Sequence, residues 1–220
     1  MRHRDTLPAD PVQTILLAGV GGQGVILAGD VLAETALAAG FDVKKSEVHG
    51  LSRRFGSVSC QVRIGCRLLS PLGGHGAVDL LVALEVQEGL RHLPFLKAGG
   101  VALVNRLWIA AKGGAAAPPP ELGPDADPRI RWLNGTQETH EARAIVESLN
   151  FYMLGVTSHF VPLPAAAWNQ TLKRLLPPRY YEVNGAMFAR GRRAWSRLLR
   201  PRAKPLSVYG ELESAPRAAV

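Results

Sequence analysis

A doubly wound α/β fold on a mostly parallel sheet is predicted from three observations. A buried-strand pattern, Val12 to Val20, runs directly into a glycine cluster and then into a helical pattern. The short apolar run Asp79-Leu-Leu-Val-Ala-Leu84 has the character of a central parallel strand and is also followed by a helix. The order of patterns is strand, helix, strand, then strand–helix–strand, and after Leu133 only helical patterns follow. Right-handed crossovers turn that order into a wound sheet with a helical C-terminal segment.

The elements follow in order. After the first strand, apolar residues at Val25, Leu27, Ala28, Val31, Leu32, Ala36 and Ala39 recur with helical spacing from Gln23 to Ala39, and Gly40 supplies the stop. Phe41 to Val48 forms a second strand. A polar loop, His49 to Gly56, leads into Ser57 to Gly65, where Val58, Cys60, Val62 and Ile64 alternate with Ser59, Gln61 and Arg63. That strand has one wet face and is expected near an edge of the sheet. The helix after Leu84 should run from Glu85 to about Lys97 and close at Gly99-Gly100, with the next strand at Val101 to Val104. Ala110 to Pro128, rich in Ala, Gly and Pro, reads as a loop, and Arg129 to Leu133 as the last strand. Helical patterns then cover Gln137 to Leu154, Ala165 to Leu175 and Arg179 to Leu198.

A chain of 220 residues, 47% hydrophobic and 20% charged, can bury one substantial core. One domain over residues 1–198 is expected, with 199–220 a basic, proline-containing tail that looks disordered. No apolar run approaches the roughly 18–20 residues needed to cross a bilayer. The N-terminus has early positive charge but no apolar stretch behind it, so a cytoplasmic location without a secretory signal is expected.

Two cysteines, Cys60 and Cys66, are too few for a four-cysteine iron–sulfur cluster, and their spacing matches neither a zinc finger nor a redox pair. On one extended strand they would share a face yet lie too far apart to bond, so two buried free thiols are expected and no metal site. The net charge of +8 resembles a nucleic-acid signal. Much of it, however, falls between Lys173 and Arg217 beside prolines, with no reading helix or aromatic RNA-binding motif. A tail that docks a protein partner or is simply solvated explains it better.

Gly19-Val-Gly-Gly-Gln-Gly24 satisfies G-x-G-x-x-G in the one context that gives the motif meaning, after a strand and opening a helix, which makes the fold Rossmann-like. Lacking Cβ, these glycines permit a positive-φ turn and let a phosphate approach backbone N–H groups at the positive end of a helix dipole. They could equally serve only to let helix and strand pack closely. A dinucleotide reader also needs an acidic residue ending the second strand; Glu47 stands there, but inside a denser polar run. That run, Ser46-Glu-Val-His-Gly-Leu-Ser-Arg-Arg-Phe-Gly-Ser-Val-Ser59, puts Glu47, His49, Ser52, Arg53, Arg54 and Ser57 at the expected carboxyl edge of the sheet. Its guanidiniums can grip a carboxylate or phosphate in bidentate fashion, and its imidazole can exchange a proton near neutral pH.

Together the glycine turn and this loop resemble the gamma-type subunit of 2-oxoacid:ferredoxin oxidoreductases, most closely the beta subunit of the indolepyruvate enzymes. Members of that family carry G-x-G-G-Q-G, a helix, and then S-E-V-H-G-M-S-Q-R-G-G-S-V. The run Asp79 to Glu85 and the closing Tyr181-Glu-Val-Asn-Gly-Ala-Met-Phe-Ala-Arg-Gly191 fit as well, so the resemblance spans Thr14 to Gly191. Three positions depart from it. Leu51 for Met conserves volume, whereas Arg53 for Gln adds charge, and Phe55 for Gly fills space and disfavours positive φ, which bears on substrate range.

The resemblance implies oxidative decarboxylation of a 2-oxo acid, such as an aryl pyruvate, by coenzyme A and oxidised ferredoxin. It implies thiamine diphosphate and iron–sulfur clusters in a larger, thiamine-binding alpha subunit, with no catalytic residue on this chain. Coenzyme A would be a co-substrate held by Gly19, Gly21, Gly22, Gln23, Gly24 and Arg54, with Glu47, His49, Ser52, Arg53 and Ser57 shaping the loop that faces substrate and partner. Two other readings remain open at this point. One is an autonomous NAD- or FAD-dependent oxidoreductase; the other is an inactive paralogue that docks a partner as a scaffold, for which Phe55 is the best support.

Overall fold

A computed structural model describes residues 12–50, 56–109, 127–142 and 148–198. Six strands, β1 (Gln13–Val20), β2 (Asp42–His49), β3 (Ser57–Gly65), β4 (Val78–Ala83), β5 (Leu96–Asn105) and β6 (Ile130–Leu133), form one sheet in the order β2-β3-β1-β4-β5-β6. β1, β4, β5 and β6 are parallel, while β3 runs antiparallel to both of its neighbours, so β2 again points the same way as β1. The mostly parallel, wound α/β sheet expected from the sequence is present.

The helices are α1 (Val25–Ala38), α2 (Val86–His92), α3 (Gly135–Glu141), α4 (Leu149–Thr157), α5 (Ala165–Leu175) and α6 (Pro178–Leu198). One apolar cluster joins a sheet face, including Ile15, Leu17, Val62, Leu80, Val82 and Leu103, to α1, α4, α5 and α6. A smaller cluster on the opposite face joins Leu16, Ala18, Leu81, Ala83 and Val104 to Val86 and Leu90 of α2. Every residue of α4 is buried, so this helix is an inner layer. It crosses α6 at very short range: a Cβ at Gly155 would lie 2.1 Å from the Phe188 carbonyl oxygen, and one at Gly191 2.0 Å from that of Tyr152. Side chains larger than hydrogen are excluded there.

β3 lies next to the edge strand β2, near an edge as expected, and three other expectations need correction. The polar residues of β3 meet the loop that follows it: Gln61 is sealed there, bonding Gly73 through both amide atoms, and Arg63 donates to the carbonyls of Ser70 and Leu72. The helix after Leu84 ends at His92, a 3-10 turn with Pro94 follows, and β5 already begins at Leu96, so Gly99 and Gly100 lie within a strand. Proline cannot continue the helical hydrogen bonding. The pattern over Gln137 to Leu154 holds two separate helices, α3 and α4, rather than one. Finally, Cys60 is buried as expected, whereas Cys66, just past the end of β3, is exposed. The tail 199–220 and most of the Ala110 to Pro128 loop lie outside the described residues.

Candidate functional site at the carboxyl rim

β1 delivers the glycine turn to the carboxyl ends of the parallel strands. Connections leave β1 on one side through α1 and leave β4 on the other through α2, so the β1/β4 boundary is the switch point at which wound sheets open a crevice. Gly22 and Gly24 take positive φ, 102° and 74°. Around Gly22 a Cβ would meet nothing within 4 Å, so its conformation alone asks for glycine. Gly24 is different: a Cβ would stand 2.4 Å from Asn150 Nδ2, which donates to the Gly24 carbonyl at 3.1 Å.

Gln23 closes the turn on itself. Its Oε1 accepts from the Val20 N–H at 2.9 Å, its own N–H donates to the Val20 carbonyl at 3.1 Å, and a Cβ at Gly19 would lie 2.6 Å from that same Oε1. Gly19 and Gly24 therefore answer the packing reading of the motif. The Gly21 N–H donates to the Gly56 carbonyl at 2.8 Å. The amides of Gly21 and Gln23 are thus both engaged inside the protein.

The Gly21–Gly56 bond also joins the turn to the β2–β3 hairpin, so the two segments singled out in the sequence meet at one rim. In the hairpin the Gly50 N–H donates to the Ser57 carbonyl at 2.9 Å. Lys45 Nζ lies 2.5 Å from Glu47 Oε1 and also bonds Asp30 of α1, and His49 Nε2 is 3.3 Å from Glu47 Oε2. The Lys45 hydrogen bond, helped by His49, holds the Glu47 carboxyl below its usual range despite partial burial. Burial works against the Lys45 charge, yet Asp30 and Glu47 overcome it and raise its pKa. Glu47 is thus tied into a row of charges on the α1 side of the hairpin. Beneath it, burial pushes the Cys60 thiol up to about 12. Leu51, Ser52, Arg53, Arg54 and Phe55 lie outside the described residues.

Several residues of the rim were not anticipated. Glu85, almost fully buried, caps α2 by accepting from the N–H groups of Gln87, at 2.9 Å, and Glu88. Burial raises its pKa, against the pull of those two hydrogen bonds. Glu88 is also buried and accepts from Ser57 Oγ at 2.5 Å. The Leu84 N–H donates to the Ala18 carbonyl at 2.9 Å, and Asn105, at the end of β5, donates to the Leu84 carbonyl at 3.0 Å and to Thr136 Oγ1 at 2.8 Å. The ends of β1, β4 and β5 are thereby fixed to one another. The only sequence-level signal for any of this was the acidic residue opening α2; the partners of Glu88, Asn105 and Asn150 are too distant in sequence to show in a local pattern. Among the described residues, no group of three or more His, Cys, Asp or Glu could hold a metal ion.

Comparison with known proteins agrees with this architecture. The sequence matches the family described as pyruvate ferredoxin/flavodoxin oxidoreductase over residues 14–194. It is 31% identical to the indolepyruvate oxidoreductase subunit IorB of Thermococcus kodakarensis, over 84% of this chain and 96% of that one. The gamma subunit of a keto/oxoacid ferredoxin oxidoreductase from Geobacter sulfurreducens superposes with a TM-score of 0.64 at 23% identity, covering 84% of this chain and 99% of that chain. A 2-oxoglutarate:ferredoxin oxidoreductase from Magnetococcus marinus, solved with 2-oxoglutarate, coenzyme A and succinyl-CoA bound, superposes with a TM-score of 0.69 at 19% identity, over 87% of this chain and 32% of that one. With a family match across nearly the whole sheet and helical segment, and a full-length relative above 30% identity, this chain belongs to the pyruvate ferredoxin/flavodoxin oxidoreductase family.

Proposed function

We propose that this chain is the small, gamma-type subunit of a 2-oxoacid:ferredoxin oxidoreductase of the indolepyruvate kind, working only in complex with a larger, thiamine-binding alpha subunit. The observation that carries the reading is the junction of glycine turn and hairpin at one rim, through the Gly21–Gly56 bond, in a chain whose similarity to an IorB subunit extends over its length. The complex would convert a 2-oxo acid, coenzyme A and two oxidised ferredoxins into acyl-CoA, carbon dioxide, a proton and two reduced ferredoxins. Thiamine diphosphate supplies the carbon–carbon bond cleavage in this scheme, and iron–sulfur clusters carry the electrons.

This chain's residues do not fit a cluster. It has two cysteines, one buried in the sheet and one exposed. They do fit a phosphate-bearing co-substrate such as coenzyme A: the amides of Gly22 and Gly24 bind the anion and Arg54 neutralises it. Glu47 and His49 hold the hairpin's charge row, and Ser52, Arg53 and Ser57 belong to the segment presented to substrate and partner. The same reading takes residues 1–198 as one gamma-type domain and 199–220 as a basic tail, supported by the single sheet and by the family match over 14–194. No helix among the described residues is long and apolar enough to cross a membrane; the reading adds a cytoplasmic location and electron delivery to ferredoxin through the complex. The autonomous dinucleotide enzyme and the inactive scaffold are not favoured, since the relatives are named as oxidoreductase subunits and Glu47 is already paired.

The test is co-expression with a larger thiamine-binding subunit and titration of the assembled complex with coenzyme A in a calorimeter. Arg54→Ala should weaken binding by about tenfold or more, the scale of one charged hydrogen-bonding contact. Unchanged affinity removes Arg54 from the site. Failure of the two chains to assemble, or binding of a dinucleotide by this chain alone, overturns the reading as a whole.

A further inference from the structure

Glu88 is a carboxylate at the inner side of the rim, in the first turn of a seven-residue helix, with its side chain 4% exposed. Burying a carboxylate is costly unless its oxygens find donors. On its own helix it has an ion-pair contact, Arg91 Nε lying 3.4 Å from Oε1, while His92 Nδ1 donates to the Glu88 backbone carbonyl at 2.9 Å. From across the sheet, Ser57 Oγ donates to Oε2 at 2.5 Å, the short distance expected of a hydroxyl on a charged acceptor.

Ser57 is the joint of the hairpin. It opens β3, pairs in register with Val20, and accepts the Gly50 N–H that closes the connection. The residue before it, Gly56, accepts the Gly21 N–H of the glycine turn. A single side chain on α2 thus reaches Ser57, which closes the hairpin and is next in sequence to Gly56, the residue that bonds the glycine turn. Packing alone would be met by an apolar side chain; a buried acceptor oxygen aimed at that hydroxyl fixes the position of the joint instead.

We propose that Glu88 is a positioning residue, acting through Ser57 to hold the hairpin and the glycine turn at a fixed separation from α2 at the β1/β4 crevice. The proposal rests on the reading of this rim as a ligand site, but its physical part does not depend on which ligand binds. Ser57→Ala removes only the hydroxyl; Glu88→Ala removes the acceptor; Glu88→Gln keeps an acceptor oxygen and loses the charge.

Two measurements decide it. In the full chain alone, backbone hydrogen exchange of peptides spanning Val20 to Ile26 and Val48 to Val58 should quicken by roughly tenfold in S57A and E88A, while E88Q stays close to wild type and β4–β5 peptides do not change. In the assembled complex, S57A and E88A should raise the KM for coenzyme A by roughly tenfold, with a smaller fall in kcat, and E88Q should restore it. Unaltered exchange at both loops in S57A overturns the proposal, as does E88Q behaving like E88A, or exchange rising uniformly through the sheet. S57A keeps the test decisive if E88A fails to fold. A wild-type complex without turnover would count against the proposed reaction, and the exchange result would still settle the role of Glu88.

Discussion

The crossing of α4 and α6 allows opposite predictions for two glycines on one helix. At Gly191 an added Cβ would sit 2.0 Å from the Tyr152 carbonyl oxygen and 3.2 Å from the Gly155 Cα. Ordinary carbon–oxygen contact needs about 3.3 Å, so α6 must retreat from α4 by roughly 1 Å, and α4 is buried along its whole length. Such a shift opens voids on both sides of an inner helix, which places Gly191→Ala at about 3 kcal/mol, the upper part of the range for overpacked sites. Gly185 lies six residues earlier on α6 with nothing within 4 Å of its Cβ position. Ala there only improves helix propensity and should stabilise by about 0.5–1 kcal/mol. For a chain of this size each kcal/mol moves Tm by roughly 2–4 °C, so thermal unfolding followed by circular dichroism should show G191A about 6–12 °C below wild type and G185A roughly 1–4 °C above it. Equal shifts in the two variants would refute the close crossing. Because Asn150, which bonds Gly24, opens α4, G191A should also loosen the glycine turn.

Further outcomes follow from other contacts. Gly24→Ala adds left-handed strain of about 1–2 kcal/mol to a clash with Asn150, and Asn150→Ala alone costs about 1–2 kcal/mol of lost hydrogen bonding; the double variant should be less unstable than their sum by about 1 kcal/mol, and simple additivity of urea midpoints would refute the contact. Glu85 has its pKa raised by burial, so its neutral form stabilises the fold below about pH 4 and that contribution is lost as pH rises through the folded value. Glu85→Gln should therefore gain on wild type in urea midpoints as the pH is raised above about 4, and parallel curves would contradict its burial. In the native chain a thiol reagent should modify exposed Cys66 and spare Cys60, whose thiol is buried and pushed up to about 12; Cys60 should react only after denaturation, and its rapid native labelling would contradict its position behind α1.

Much of the fold was legible because its local signals were strong. Period-two alternation marks β3 to the residue, helical spacing does the same for α5, and Gly40, at φ 88°, ends α1 as its place in the pattern requires. What stayed hidden is long-range. Alternation tells that a strand has a wet face, but not whether that face meets solvent or a polar loop, so the sealing of Gln61 under Gly73 did not show. Leu93, Phe95 and Leu96 keep an apolar spacing compatible with helix, and this masked the switch to β5 at Pro94. In the site, the sequence pointed to both loops but not to what holds them: Glu88 meets Ser57 from 31 residues away and Asn150 meets Gly24 from 126. The glycine motif itself carried two meanings, and atomic contacts separate them, close packing at Gly19 and Gly24 and open conformation at Gly22.

The reversed strand β3 gives this architecture an unusual freedom. In a purely parallel sheet the segment following β2 would have to travel back through a helix before pairing again. Here it returns at once, and residues 42–49 and 58–65 lock together in register without involving the five positions between Gly50 and Gly56. The paired residues end at His49 and Val58, and the sequence between Gly50 and Gly56 holds both non-conservative departures, Arg53 and Phe55. On the proposed function, a change of substrate preference would ask for new residues only there, with the two strands on either side keeping their partners.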